Sequence, residues 1–387
     1  MHRVAWLLLI LYSFSLPWEH SMDFGEPWGD VARLLALPLL LAGVVMIWQQ
    51  KSLTRPDRVS WMALAWLLWM CFSCCWSLDS SESFAHVRGL AQKMMAFFVL
   101  RELVQSRDEL RSILRALVAG GFVLALLTIV GTGAATDAEI VRATAYEQDP
   151  NDVAQMLALL LVFASLLFVT EIEVRVRRII LPVQLLFALA VVFTGSRSGL
   201  ITLVLAFCGA LLIRWQHDRK RMWWSICAVP MAAIVAWVAI PSTTWTRFAT
   251  FLEQMQAGGF NQRAEIWQSG WQAFVQAPLF GHGAGVFVLA TNAAQNDTAH
   301  NAFLSVAVSG GLIALSLWIA MLAELWVQAK SMAESQRYAW MLMLIVWFVS
   351  ALVASNEENR LTWFFFALLL QYAQLYRAEV AEQALAA

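Results

Sequence analysis

Long apolar segments recur along this sequence, and no other feature constrains its fold as strongly. The hydrocarbon core of a bilayer is about 30 Å thick, so a helix that crosses it needs roughly 20 apolar residues. Runs near that length lie at about 4–17, 31–49, 59–76, 84–104, 112–132, 152–170, 178–194, 199–215, 222–241, 301–327, 338–354 and 361–377. Lipid offers no water to bond to an open strand edge, so these runs should be helices. The pattern predicts an all-α, polytopic membrane protein with about twelve transmembrane helices.

The composition agrees with a membrane protein. Charged residues make up 14% of the 387 residues, whereas soluble domains carry about 25%. The net charge of -1 favours neither a nucleic acid nor an acidic partner. All five cysteines lie in apolar runs, so we expect neither disulfides nor a cysteine metal site. We interpret residues 1–387 as a single integral-membrane domain.

The basic residues predict the orientation of the helices. With the amino terminus placed in the cytoplasm, eighteen of the 26 lysines and arginines fall in connections on one side. The opposite connections are mostly acidic or neutral, as in "SLDSSES" and "SNEENR". This positive-inside pattern predicts cytoplasmic termini at both ends of the chain.

Eight basic residues run against this orientation rule. They lie in the outer connections or in the outer parts of spans: Arg33, Arg88, Lys93, Arg142, Arg197, Arg247, Arg263 and Arg360. Cations immersed there cost several kcal/mol unless they are paired or hydrated. Each one is either a paired or snorkelling structural residue or a residue kept for function, and for Arg33, Arg247 and Arg360 the structural reading has equal weight.

One connection, about 243–300, is much longer than the others and lies on the outer face. Within it, Ile266, Trp267, Trp271 and Phe274 recur at helical spacing, which predicts a short amphipathic helix lying on the membrane surface. The helix should stop at Pro278, before a glycine-rich turn that we expect to be flexible.

Three motifs on the outer face could carry chemistry. "FTGSRSGLI" places Arg197 at a tight turn beside a helix N-terminus, where guanidinium and backbone N–H groups together bind phosphate oxygens. "RATAYEQDPNDV" contributes Arg142, while its Asp149 and Asn151 can be explained as helix capping alone. "FNQRAEIW" places Arg263 at the start of the amphipathic helix. Two or three such arginines could hold a pyrophosphate leaving group.

A histidine follows in "TAHNAFL". Neutral His300 can accept a proton from a sugar hydroxyl near neutral pH. It can equally be an ordinary helix-entry residue, and Asn301 beside it is a further candidate for substrate binding. Lys93 and Arg88 are also candidates, although five residues of helix place them on different faces. We interpret His282, in the glycine-rich turn, as structural.

Taken together, these residues resemble the O-antigen ligase superfamily, which includes lipopolysaccharide O-antigen ligases and related polysaccharide polymerases. The resemblance runs from about residue 142 to 314 and has its motifs in the expected order: "DPN", "TGSRSGL", "PLFGHGAG" and "HN", with Gly311 ten residues after Asn301. Ala314 departs from the motif, which normally ends in Gly, Thr or Tyr.

The resemblance implies an inverting, metal-independent glycosyltransferase without a cofactor, in the bacterial inner membrane, with a periplasmic active site. Its donor would be a glycan on undecaprenyl pyrophosphate and its acceptor a lipid A-core sugar. His300 would activate the acceptor hydroxyl, and Arg197 and Arg263 would bind the pyrophosphate. A polymerase that joins lipid-linked repeat units remains an alternative, and a transporter or flippase of lipid-linked sugars is a weaker one.

Overall fold

We analysed a computed structural model of the protein. It describes residues 2–22, 24–25, 29–50, 56–131, 133–137, 140–146, 148–219, 242–249, 261–292 and 298–386, with isolated positions between 219 and 242. The helices are α1 His2–Ser15, α2 Val31–Gln50, α3 Arg58–Ser73, α4 Ser80–Leu103, α5 Arg107–Val130, α6 Pro150–Thr170, α7 Val174–Phe193, α8 Arg197–His217, α9 Ser242–Ala249, α10 Asn261–Gln276, α11 Phe287–Thr291, α12 Ala302–Lys330, α13 Glu334–Ala351 and α14 Arg360–Ala386. Two 3-10 helices, Leu16–Ser21 and Asn356–Glu358, and one antiparallel hairpin, β1 Gly133–Asp137 with β2 Ile140–Thr144, complete the described elements. The all-α class is confirmed.

The protein is a multi-pass membrane protein, but the expected number of about twelve spans is not confirmed. Six described helices are long and apolar enough to cross a membrane, namely α2, α5, α6, α7, α8 and α12. Helices occupy the other predicted segments too, yet α1 has only 14 residues, α3 only 16, and α4 carries several charges. Most of the ninth predicted segment, 222–241, lies outside the described residues.

The described connections gather at two ends of the helix bundle. At one end, which we call the His300 end, Gln148 Nε2 donates to Ser21 Oγ at 3.1 Å and Asn301 Nδ2 donates to Leu352 O at 3.3 Å. At the opposite end, Arg115 Nε donates to Glu171 Oε2 at 2.8 Å. Connections far apart in sequence therefore meet at the His300 end.

Helix α6 occupies the centre of the bundle. Most of its side chains are buried, from Val153 to Phe168, and it contacts α5, α7, α8 and α13. An apolar helix surrounded by other helices in this way belongs to the core of the membrane domain. The polar N-terminus of α6 is consequently carried to the middle of the His300 end.

The long helix α12 is interrupted, and the glycine-rich turn fills the interruption. Gly311 has φ 67° inside α12, and His282 N donates to the carbonyl oxygen of Val308 at 2.9 Å. A Cβ at Gly281, whose φ is 69°, would clash with the carbonyl of Ser309. Only glycine tolerates such a φ together with so close a backbone approach. The glycines thus fit the turn into the broken helix.

A helix forms where the sequence predicts it, α10, which ends at Gln276, shortly before Pro278. Its place on the membrane surface stays a prediction. Its apolar face packs inside the protein, since Ile266 and Phe274 lie in a buried cluster with Val308 of α12. Trp271, by contrast, is 60% exposed. This packing ties the beginning of the long connection to the helix that follows His300.

Candidate active site

The N-terminus of α6 forms one wall of the candidate site. Asp149 caps the helix by accepting a bond from Asn151 N at 2.6 Å, which confirms its expected capping role. Asn151 Oδ1 accepts a bond from Ser196 Oγ at 2.8 Å, and Ser196 in turn caps α8. Arg197 is the first residue of α8. The "DPN" and "TGSRSGL" motifs therefore meet directly, as two adjacent helix N-termini, one of which begins with Arg197.

Arg263 joins this pair from the first turn of α10. Burial lowers the pKa of its guanidinium, and the nearby carboxylates of Asp149 and Asp152 partly offset this by raising that pKa. Arginine keeps its charge in proteins because its reference pKa is so high. The structure thus brings Arg263 close to the N-terminus of α6, which sequence reasoning alone could not place.

His300 lies just before α12 in an unusual backbone conformation. Its φ is 43°, a left-handed value that is uncommon for a residue with a side chain. Thr298 Oγ1 lies 3.3 Å from its Nδ1, and Trp267 Nε1 donates to the carbonyl oxygen of Ala299 at 3.0 Å. Such backbone strain persists only where surrounding contacts hold it, and it is common at functional sites.

Asn301 acts as the N-cap of α12. Its Oδ1 accepts bonds from Phe303 N and Leu304 N, both at 3.0 Å, and its Nδ2 donates to Leu352 O. These contacts account for the asparagine structurally and set the position of His300 relative to the connection after α13.

A cavity of about 210 Å³ opens beside His300. Asp152 and Gln155 of α6 form one side of it, and Asn356, Glu358 and Asn359 of the connection between α13 and α14 form the other. The remaining lining residues are Met156, Leu159, Thr298, Trp347, Ser350, Ser355, Leu361 and Thr362. His300 therefore faces a small polar compartment.

Lys93 lies near this compartment. Glu358 and Glu357 are close enough to Lys93 to act on it electrostatically, and His86 Nδ1 is 4.0 Å from Glu358 Oε1. Arg88 is exposed on another side of α4, as helical spacing predicts. For Arg142 only the backbone is described, in β2 opposite Ala135.

Two more of the unusual arginines can be assigned: one forms ion pairs within the protein, and the side chain of the other lies outside the described residues. Arg360 forms ion pairs of 2.7 Å with Glu19 and Asp30, so its structural reading is confirmed. The side chain of Arg247 lies outside the described residues. His282 is structural as expected, with its Nε2 2.7 Å from the carbonyl oxygen of Ala273.

Sequence reasoning did not identify several residues of the cavity, above all Asp152, Gln155 and Glu358. The connection "SNEENR" was visible only as an acidic outer loop. Two neighbouring carboxylates between two asparagines, directly before a membrane helix, are a signal that could have drawn attention to it. Nothing local connects this stretch to α6, because 206 positions separate Asp152 from Glu358.

Part of the chain matches known proteins. Residues 182–319 match a family described as O-antigen ligase, and this range includes Arg197, Arg263 and His300. An O-antigen ligase of Pseudomonas aeruginosa strain PAO1 is 27% identical over 172 residues, which are 43% of this chain and 38% of that protein. The chain thus matches well under half the length of this relative.

A solved structure concerned with the coordination of polymerization and crosslinking by a peptidoglycan synthase complex contains a chain of related shape. The TM-score is 0.41 and the sequence identity 13%, over 81% of this chain and 96% of that one. A likeness of this degree supports no argument about function.

Proposed function

We propose, from its confirmed resemblance to the O-antigen ligase superfamily, that this chain transfers a glycan from undecaprenyl pyrophosphate to a sugar hydroxyl of lipid A-core. The reaction would take place at the periplasmic face of the bacterial inner membrane, with both termini of the chain in the cytoplasm. One observation carries the proposal: His300 faces a polar cavity beside α6, whose N-terminus also has Arg197 and Arg263 close by.

The donor's pyrophosphate is assigned to Arg197 and Arg263. Arg197 adds its charge to the free N–H groups at the start of α8, an arrangement that favours phosphate oxygens. Arg263 approaches the neighbouring helix N-terminus from α10. Negative charge grows on the pyrophosphate as the sugar–phosphate bond breaks, and fixed cations at a partly dry site stabilise that charge. Lys93, Arg88 and Arg142 remain candidate substrate-binding residues, and Asn301 supports His300 through its cap.

The transfer itself requires one proton acceptor. The acceptor hydroxyl attacks the anomeric carbon, and its proton passes to His300 as the new C–O bond forms. The bond from the anomeric carbon to the phosphate oxygen breaks, and its electron pair leaves with undecaprenyl pyrophosphate. A single displacement of this kind inverts the anomeric centre. The two arginines supply the charge stabilisation that a metal ion would otherwise provide, so we propose a metal-independent reaction.

Deletion of the gene, followed by gel analysis of the cell's glycans, tests the function. Unligated full-length polymer that accumulates on its lipid carrier is the expected result. Single repeat units would instead indicate a polymerase, which shares the donor chemistry but uses another acceptor.

Complementation of the deletion strain tests the residues. We expect His300→Ala to abolish transfer, and Arg197→Ala and Arg263→Ala to weaken use of the pyrophosphate-linked donor. His2→Ala, an exposed histidine of α1, is the matched control. Membrane insertion of every variant is checked by an immunoblot of the membrane fraction. Wild-type transfer by His300→Ala would remove this histidine from the mechanism, and loss of purified activity in EDTA with rescue by a divalent ion would contradict the metal-free scheme.

A further inference from the structure

Most of the residues that line the cavity beside His300 are polar. Its walls carry two carboxylates, Asp152 and Glu358, and the side-chain amides of Gln155, Asn356 and Asn359. No lysine or arginine lines it among the residues that the structure describes. Carboxylates and amide oxygens accept hydrogen bonds from hydroxyl groups, whereas they repel phosphate. The compartment is therefore suited to a ligand rich in hydroxyls and unsuited to a pyrophosphate.

Buried hydrogen-bonding groups at this cavity lack protein partners. Gln155 is only 4% exposed, and its Nε2 has no hydrogen-bond partner among the described residues, although its Oε1 accepts a bond from Ser350 Oγ. Ser355 Oγ is buried and unpartnered in the same way. Asn356 Nδ2 donates to Ser350 Oγ at 2.7 Å, so Gln155, Ser350 and Asn356 form one hydrogen-bond network beside the cavity. Unpaired buried polar groups are rare and costly, so a ligand is the natural partner for them.

The size of the cavity limits what it can hold. Its volume of about 210 Å³ is below the roughly 300–1,000 Å³ of pockets that enclose drug-sized ligands. A cavity below this range is on the scale of a single sugar ring. Trp347 forms part of the lining and is held in place by a bond of 2.9 Å from its Nε1 to Thr362 Oγ1.

We propose that this cavity is the acceptor subsite and that it takes one uncharged sugar residue, whose attacking hydroxyl points at His300. The proposal rests on the proposed function and adds the class of acceptor to it: the terminal acceptor sugar carries neither phosphate nor carboxylate. Gln155 and Ser355 donate to its oxygens, and Glu358 accepts from its hydroxyls. Asp152 lines the cavity and also interacts electrostatically with Arg263. It therefore lies between the acceptor side and the donor side of the site.

The test is a steady-state transfer assay with the purified full-length protein, using lipid A-core from a strain without O-antigen as acceptor and an undecaprenyl-pyrophosphate glycan as donor. Gln155→Met keeps the side-chain volume and removes the unpartnered donor; Glu358→Gln keeps the shape and removes the charge. We expect each to raise the acceptor KM about tenfold and to leave the donor KM within about twofold. Glu358→Gln should also accept a core whose terminal sugar is phosphorylated, which the wild type rejects.

Gln184→Met is the matched control, since Gln184 is an equally buried glutamine whose Nε2 is bonded to Leu161 O and Ser165 Oγ far from the cavity. It should lose thermal stability without any change in acceptor KM. Gln155→Met should lose less stability, because it removes one hydrogen bond, from Ser350 Oγ to Oε1, whereas Gln184→Met removes both bonds of Nε2. A rise in donor KM, or an unchanged acceptor KM in both cavity variants, would overturn the subsite.

Binding separates the failure of the subsite from that of the function. Saturation-transfer NMR with free core oligosaccharide needs no turnover. We expect binding to the wild type and to His300→Ala, and about tenfold weaker binding to Gln155→Met. If the wild type binds the oligosaccharide in this way but transfers nothing, the proposed function fails and the subsite stands. If the wild type does not bind it, the subsite is wrong.

Discussion

Trp267 donates its indole N–H to the carbonyl oxygen of Ala299 at 3.0 Å, which joins α10 to the residue directly before His300. The same helix carries Arg263 one turn earlier. The two residues to which we assign leaving-group binding and proton transfer are therefore linked through one short helix and one hydrogen bond. The strained φ of His300 needs such a restraint.

Trp267→Phe should lower the rate of transfer without unfolding the protein. Phenylalanine keeps most of the contact with the buried cluster around Ile266 but cannot donate to Ala299. A net hydrogen bond contributes about 0.5–1.5 kcal/mol, so kcat should fall roughly 3- to 10-fold. Trp271→Phe, on the exposed side of the same helix, is the control and should retain wild-type kcat. Equal rates for the two variants would show that this bond does not position His300.

Gly281→Ala should destabilise the His300 end. The φ of 69° costs an alanine roughly 1–2 kcal/mol, and its Cβ would press on the backbone of Ser309. The melting temperature in detergent should fall clearly. Gly89→Ala is the matched control, because a Cβ at this position of α4 meets nothing within 4 Å, and alanine stabilises a helix interior relative to glycine. If both variants melt at the wild-type temperature, the turn does not fill the break in α12 as described.

The stability of the protein should fall as pH rises, and Glu357 should be responsible. Burial, with the neighbouring charge of Glu358, raises the pKa of Glu357 to about 8, while Ser305 and Lys93 act against the shift. In the unfolded chain a glutamate has a pKa of about 4.3. The folded state therefore binds the proton more tightly, so stability is greatest at low pH and is lost between about pH 4.3 and 8.

Melting temperatures measured from pH 5.5 to 9 check this expectation. The wild type should lose stability up to about pH 8 and change little above it, whereas Glu357→Gln, which keeps the neutral form, should give a flatter profile. Glu82→Gln, an exposed glutamate on α4, should follow the wild type. A wild-type slope that persists unchanged in Glu357→Gln would assign the pH dependence to another group.

Much of the local structure could be predicted, because it depends on neighbours in sequence. Apolar runs such as 152–170 form helices because, in lipid, each span must satisfy its backbone N–H and C=O groups with hydrogen bonds inside the segment. Asp149 capped α6 because its side chain reaches the N–H groups of the next residues. Helix α10 ended before Pro278 for an equally local reason.

The site itself could be predicted only in part. The candidate arginines and His300 were chosen from their motifs and their predicted side of the membrane, and their roles stay predictions. Arg360, equally unusual in sequence, proved to be paired with Glu19, 341 positions away. Asn301, a candidate for substrate binding, is also the cap of α12, and its role toward a substrate stays a prediction. A charged residue in an outer connection has the same local sequence signal whether its partner is another side chain or a substrate.

What the sequence by itself determined is the all-α class, the cap of α6, and the distribution of charge along the chain. These follow from backbone hydrogen bonding, hydrophobic periodicity and the cost of charge in lipid, all of which act along the chain. Only the tertiary structure decided that Asp152, His300 and Glu358 share one cavity. Their meeting depends on how α13 packs against both α6 and α12, and helix packing is set by shape complementarity between distant segments.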